Sequence, residues 1–366
     1  MTNPTDERGK IAAMEGLRGI MALWVVVGHI SLTVGWKLPL LDRNTLAVDV
    51  FILLSGFVIA LLVDKKREDY RRYIVRRAFR IFPLYLGVLF VSALILPMAM
   101  QAWTMVPFET VANAKRLELA QIANGRMLEH VAIHIPLLQG ILPASVLPGA
   151  PWTVVGQAWS VSLEWQFYLI APAMIWGLAT PRRAVVTLMG MVILTASSRW
   201  FTPAFLGYYI WHFGIGIASY MFLGRREIKK FASGLIAACS IVVVYRGGPW
   251  QLVPLTCWAG VIYVVLRPRG AFKILNDLLT ASLAVRLGEL SYSVYVLHMI
   301  PLTIFVWLLN PLGLSTSVYS SLLFCSVVLT TYGLSVVTHR WIEKPGIRAG
   351  AFCAQNARGT SQATVG

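Results

Sequence analysis

Several polar side chains of this 366-residue chain stand inside apolar stretches, at spacings that could support chemistry. Glu15, Arg18 and His29 fall within one apolar run, and Arg18 and His29 are eleven positions apart. On a helix they share a face, about 16 Å apart along the axis. Glu15, Arg18, Ala22, Val25 and His29 then form a single stripe. With Arg18 near an inner interface, His29 falls near mid-membrane, where an imidazole is suited to act as general base. The same spacing also fits a helix-packing histidine, with Arg18 reaching back to lipid headgroups.

Other segments repeat the pattern. Asp49 opens a second apolar run that contains Ser55 and Gly56. The acid could simply be solvated at the outer end, and the small residues could pack helices. Arg77 and Arg80 share a face in the basic stretch 71–80. Paired guanidinium groups hold phosphates, of a ligand or of anionic lipid. Ser160, Glu164 and Tyr168 lie four apart in another apolar run, and an intramembrane glutamate is hard to explain by packing alone. Tyr292, Tyr295 and His298 are one turn apart in succession, more than an aromatic belt requires. His212 stands alone and reads as structural, and His130, His134 and His339 lack metal-ligand spacing. No HExxH, GxSxG, GxxxxGK[ST] or Gly-rich dinucleotide loop occurs, so any chemistry must come from scattered groups gathered by the fold.

The elements that gather them are membrane helices. The chain is 57% hydrophobic and 13% charged, with a mean hydropathy of +0.68. Soluble domains carry about 25% charged residues, so the composition excludes a cytosolic enzyme, a disordered chain and a nucleic-acid-binding domain. The last exclusion matters because the net charge is +16. A crossing helix needs about 20 apolar residues. Ten candidates result: 14–36, 47–63, 81–100, 158–179, 184–198, 208–223, 231–245, 250–266, 290–309 and 318–338, the fifth to seventh being short or polar-flanked. With both termini cytoplasmic, 24 basic residues fall inside and 7 outside, with Arg18 in the first helix, as the positive-inside rule demands. The expected fold is therefore an all-α, polytopic membrane helix bundle, with a cytoplasmic N-terminus (1–13) and a membrane domain (14–345). A loop at 101–157, containing short helices, is expected to lie outside and cap an opening. The tail 346–366, rich in small residues, reads as cytoplasmic and disordered. Cys239, Cys257, Cys325 and Cys353 suggest neither a disulfide framework nor a zinc site. No signal peptide, internal repeat or inverted pair of broken segments is visible.

Six segments in order resemble the acyltransferase-3 family of membrane O-acyltransferases. They are Glu15-Gly-Leu-Arg-Gly through His29, Val48–Phe57, the Arg77-x-x-Arg80 pair, Ala158–Tyr168, Leu290–His298 and the closing Trp341-Ile-Glu-Lys-Pro345. One departure is small: Glu15 stands where many members carry aspartate. The resemblance implies an enzyme transferring groups other than amino-acyl groups, in a bacterial cytoplasmic (inner) membrane. It would move an acyl group, most often acetyl, from cytoplasmic acyl-CoA to a carbohydrate hydroxyl. Acetyl-CoA would be a co-substrate, with no permanent cofactor and no metal. It further implies His29 as the leading catalytic residue with Arg18 its companion, and Glu164 beside them. Arg77 and Arg80 would meet the CoA phosphates, while Asp49, Ser55, Tyr292, Tyr295 and His298 would line the cavity. Acceptors in such families include exopolysaccharide, O-antigen, macrolide sugars and lipochitooligosaccharide nodulation signals. Membrane lipid is a further expected partner, as is a separate extracytoplasmic transferase if the chain does not act directly; nucleic acid is not. A transporter or flippase for a lipid-linked saccharide is the rival reading.

Overall fold

A computed structural model describes residues 4–224, 226–266 and 270–356. The C-terminal stretch 357–366, with Arg358, and the loop residues Arg267 and Arg269 lie outside the described residues. Among those described the chain is all helix and turn, without strands.

The first three helices are α1 (Pro4–Val34), α2 (Asn44–Lys66) and α3 (Tyr70–Leu94). Then come α4 (Leu96–Met105), α5 (Val111–Gly125) and α6 (Met127–His134). The next are α7 (Trp159–Leu178), α8 (Pro181–Ser197), α9 (Ile210–Gly224), α10 (Lys229–Gly247) and α11 (Leu252–Leu266). Two short helices, α12 (Lys273–Thr280) and α13 (Ser282–Glu289), lead into α14 (Ser291–Leu297) and α15 (Met299–Leu309). Last are α16 (Thr316–Thr338), a π-turn (His339–Glu343) and α17 (Lys344–Asn356).

Each of the ten apolar segments expected from hydropathy contains a helix. Six helical stretches are long and apolar enough to cross a membrane: 12–34, 44–66, 70–94, 229–247, 249–266 and 316–355. The pair α14 and α15, bent by 42°, gives a seventh if it is one span. Its break has a local cause. Pro301 has no N–H for the carbonyl one turn earlier, and its ring crowds that carbonyl. The remaining segments fall outside this set; α8 and α9, at 17 and 15 residues, are shorter than a full span.

Two boundaries differ from the sequence reading. The third span starts at Tyr70 rather than residue 81, because Asp69 caps it by accepting the Arg72 backbone N–H at 2.9 Å. The arginine cluster is therefore the first part of that helix. That helix ends at Leu94 with Ile95 as its cap, and α4 starts at Leu96 with Pro97 in its first turn. The tail is also more ordered than its composition implies. Residues 344–356 form α17, whose Gly346 and Gly350, one turn apart, meet Phe79 and Pro83 of α3. Small residues that look like a flexible tail are in fact a close helix contact.

The centre of the bundle is held the same way. In α1, Gly16 meets the Leu279 backbone of α12, and Gly19 meets Ala284 and Gly288 of α13. Gly56 of α2 meets the Phe213 backbone of α9, and Gly216 of α9 meets the Leu53, Gly56 and Phe57 backbone of α2. These contacts fix α1 and α2, which carry His29, Arg18, Asp49 and Ser55. A side chain at Gly16 would overlap the Leu279 carbonyl, so Gly16→Val is expected to destabilise the protein by about 1–3 kcal/mol or more. Gly87→Ala in α3, where an added methyl meets nothing within 4 Å, is expected to be neutral. Thermal unfolding of both variants in detergent checks the contrast.

Candidate active site

His29 lies in the last turns of α1 and lines a cavity of about 280 Å³. Trp103, Arg116, Gln157, Trp159 and Tyr295 share that wall. Arg116 comes from α5, within the 101–157 segment. Thr110 caps α5 by accepting the Asn113 backbone N–H at 3.1 Å. The Asn113 amide donates to the carbonyl of Thr33 in α1 at 2.8 Å, clamping the two helices. Arg116 is thereby aimed at the histidine. Its Nη2 lies 3.3 Å from His29 Nδ1 and 3.2 Å from the His29 carbonyl. Its Nη1 donates to Thr33 Oγ1 at 2.7 Å and to Asn113 Oδ1 at 3.0 Å. The guanidinium carbon stands 4.8 Å from the Trp103 ring centroid. No carboxylate pairs with Arg116 among the described residues, and burial alone pulls its pKa down to about 10.

His298 sits at the break between α14 and α15, its ring 5.1 Å from that of His29. Its Nδ1 is 2.7 Å from the Tyr295 carbonyl, and because a carbonyl only accepts, Nδ1 carries the hydrogen. The side chain is 1% exposed.

A second cavity of about 130 Å³ is lined by Arg18, Ser55, Arg77, Arg80, Glu164 and Tyr292. Glu164 Oε1 accepts from Ser55 at 2.7 Å and from the Tyr168 hydroxyl at 2.5 Å. Arg77 stands 5.9 Å from the Tyr168 ring centroid and has no carboxylate partner among the described residues. Arg80 is paired with Glu343, the last residue of the π-turn. The other Glu343 oxygen accepts from Ser293 at 2.9 Å and lies 3.0 Å from His339 Nδ1. Tyr292 donates to the Ile81 carbonyl at 2.6 Å, which ties α14 to α3. Arg18 has only a loose contact, 3.4 Å, with Glu15.

Tyr295 and Val48 line both cavities, so they are the partition between them. The Tyr295 hydroxyl donates to the Gln157 carbonyl at 2.9 Å, leaving it to accept from Ser160 at 2.6 Å. The Gln157 amide donates to the Val296 carbonyl at 2.6 Å.

The sequence-derived candidates therefore divide. His29 and His298 come together. Arg18, Ser55, Arg77, Arg80, Glu164 and Tyr292 come together elsewhere, and Tyr295 belongs to both groups. Glu164 lines the Arg18 cavity and not the His29 cavity. Asp49 lines neither and is not solvated: it is 3% exposed and accepts from Gln251 at 3.0 Å. The turn after α10 delivers that Gln251, whose Oε1 is 3.1 Å from Nε2 of His212. Arg116 and Glu343 escaped attention, one as an outer-loop charge and one inside a closing motif.

His130 and His134 are buried in α6, His134 as its last residue. His134 Nδ1 donates to the His130 carbonyl at 2.7 Å, and His130 Nδ1 lies 2.8 Å from Thr153 Oγ1. The Tyr85 hydroxyl of α3 donates to the His134 carbonyl at 2.8 Å, anchoring the segment.

Fold and site together define a class: a multi-pass helical membrane protein that gathers ionisable groups around two adjoining cavities. The chain belongs to the acyltransferase-3 family, whose acyltransferase-domain profile matches residues 11–340, and it is an acyltransferase. A protein named as membrane-bound transacylase BcsY, from Komagataeibacter xylinus, is 26% identical over 313 residues, 78% of this chain and 71% of the relative. The exopolysaccharide production protein ExoZ of Rhizobium meliloti (strain 1021) is 23% identical over 323 residues, 83% and 89% of the two chains. No solved structure matches the chain.

The buried histidines of α6 set a pH dependence. Burial pulls His134 down to about 4 and lowers His130 as well. The unfolded chain then binds protons before the folded one, so stability is complete above the ordinary value of 6.5 and falls as pH drops toward 4. His134 alone is worth about 3 kcal/mol across that window. The unfolding temperature is expected to fall between pH 7.5 and pH 5, with amide exchange in 101–157 rising first. His134→Gln should flatten the dependence; equal pH sensitivity in that variant would exclude His134 as its source.

Proposed function

We propose that this protein is an O-acyltransferase that moves an acyl group, most often acetyl, from cytoplasmic acyl-CoA to a hydroxyl of a cell-surface or secreted glycan. The single observation that carries the reading is the pair of adjoining cavities. One is rich in guanidinium groups and the other holds an imidazole, and they meet at Tyr295. The name of the ExoZ relative favours an exopolysaccharide acceptor, and O-antigen or a lipochitooligosaccharide signal belongs to the same chemical class. The proposed setting is a bacterial inner membrane, with about ten crossings and both termini inside. That orientation directs the Arg18 cavity to the cytoplasm and the His29 cavity outward. Its support is the 24-to-7 division of basic residues.

In this reading Arg77 and Arg18 receive the CoA phosphates. Arg80, already neutralised by Glu343, shapes the floor beside them. Glu164 holds Ser55 and the Tyr168 hydroxyl in place, and Tyr168 is the ring beside Arg77. The acyl thioester passes the Tyr295 partition to reach His29. His29 takes the proton of the acceptor hydroxyl as its oxygen attacks the acyl carbon. The new C–O bond forms, the C–S bond breaks, and the proton passes to the departing thiolate, giving the ester and free CoA. A thioester is already activated, so one base and one oxyanion donor suffice. Asp49, bonded through Gln251 to His212, braces the outer end of α2.

His29→Ala is expected to insert and fold normally while losing at least 10²- to 10⁴-fold in transfer, the range of a positioned base. Arg77→Ala is expected to raise KM for acyl-CoA about tenfold or more, with the acceptor KM unchanged, because a charge-assisted contact contributes about 1.5–3 kcal/mol. Acetyl release from purified protein, with mass spectrometry of surface glycans from a deletion strain, reads both outcomes. Full acetylation by His29→Ala would remove His29 from the chemistry.

A further inference from the structure

The position of Arg116 raises a chemical conflict. A guanidinium has only donors, so its Nη2 contact makes His29 Nδ1 an acceptor and puts the hydrogen of the neutral ring on Nε2. Nδ1 is then the only nitrogen of that ring able to take a proton, and its lone pair is occupied. As arranged, His29 is a masked base. A second observation concerns charge. Arg116 is buried against the wall of the outer cavity, and neither an aspartate nor a glutamate lines that cavity. Its contacts are neutral acceptors and the face of Trp103. A cation buried without an anion is costly, and favours negative charge wherever it appears beside it.

We propose that Arg116 is a catalytic residue that transfers one hydrogen bond. When the acyl group enters the outer cavity, the Nη2 N–H leaves His29 Nδ1 and binds the thioester carbonyl oxygen. Two consequences follow from that exchange. The Nδ1 lone pair is freed to take the acceptor's hydroxyl proton. The carbonyl oxygen, which gains the electron pair of the C=O bond as the acceptor oxygen attacks, lies against the guanidinium. Collapse returns that pair to the carbonyl, expels the thiolate and delivers the Nδ1 proton to sulfur. Arg116 then returns to Nδ1. The base is thus exposed only with an acyl group present, and its exposure coincides with filling of the oxyanion site.

The remaining Arg116 contacts fit this division of labour. Nη1, bound to Thr33 and Asn113, anchors the side chain, while Nη2 faces His29. The alternative use of such a cation, gripping a carboxylate on the acceptor, predicts a different kinetic signature and becomes an outcome of the test.

The inference rests on His29 being the base, so His29→Ala is measured in parallel. Arg116→Gln is expected to lose about 10²- to 10³-fold in kcat, the range for one oxyanion donor. Its KM values for acyl-CoA and acceptor should stay within about threefold, and added guanidinium ion should restore part of kcat. A kcat within threefold of wild type overturns the proposal. So does a loss confined to the acceptor KM, which would mark a carboxylate site. Activity in His29→Ala would overturn the underlying reading instead. Should Arg116→Gln fail to fold, the wild-type protein supplies the answer through nitrogen NMR of labelled histidine. The expected resting state is the Nε2–H tautomer with a hydrogen-bonded Nδ1. Saturation with an acyl-CoA analogue carrying methylene in place of the thioester sulfur should release that hydrogen bond. An Nδ1 signal unchanged by the analogue overturns the exchange.

Discussion

An unpaired cation in hydrocarbon costs several kcal/mol, and the way each guanidinium is compensated organises this bundle. Arg80 is met by Glu343, which must return from the far end of the chain to reach α3. The π-turn at the end of α16 aims that carboxylate inward, and Gly346 and Gly350 let α17 dock closely enough behind it. Arg116 is compensated differently. An indole face and neutral oxygens surround it, and these exist only if α5 docks on the C-terminal end of α1. The segment 101–157 is therefore part of the site and not only a lid over it.

Compensation also explains why there are two cavities and not one. Arg18 and His29 share the face of α1, yet Tyr295 stands between the spaces they line. Tyr295 is held by Ser160 and Gln157 from the start of α7 and the turn before it. His298 spends its Nδ1 hydrogen on the Tyr295 carbonyl, just ahead of the bend that Pro301 imposes. The partition thus rests on a proline-bent pair of helices and a network of neutral hydrogen bonds. Neutral bonds of this kind contribute about 0.5–1.5 kcal/mol each, far less than a buried ion pair costs to break. A barrier built from them opens more readily than one built from charges.

The sequence made the helices legible because a period of 3.6 and a run of apolar residues are local properties. It also paired the right residues where they lie within a turn of one helix, Arg77 with Arg80 and Glu164 with Tyr168, whereas Arg18 and His29 share a face of α1 but line different cavities. Pairing across helices was another matter. Arg116 meets His29 across 87 positions, and Glu343 meets Arg80 across 263. No periodicity encodes such contacts. Arg116 lay in a polar segment where a positive charge needs no explanation, so nothing in composition separated it from Lys115 beside it. Asp49 was misplaced for the same reason: its solvation depended on Gln251, 202 positions away. For residues 346–356 composition was no guide, since glycine spaced for helix contact and glycine in a disordered tail look alike until a partner helix is present.

The asymmetry of the two cavities finally constrains the chemistry itself. The cavity containing Arg77 also contains Glu164, so it can bind an anion and balance a cation, but no imidazole lines it. The cavity containing His29 has an imidazole and a cation and no acid. A histidine without a carboxylate behind it cannot store a positive charge cheaply, least of all beside a guanidinium. Its protonated state must be brief and coupled to a negative charge forming alongside. The proposed acyl transfer from a thioester meets that condition, because the oxyanion would appear in the same step that protonates the ring and vanish when the thiolate leaves with the proton. In that mechanism the site holds an imidazolium and an oxyanion only for the length of one transition state, and at rest only the charge that Arg116 already carries.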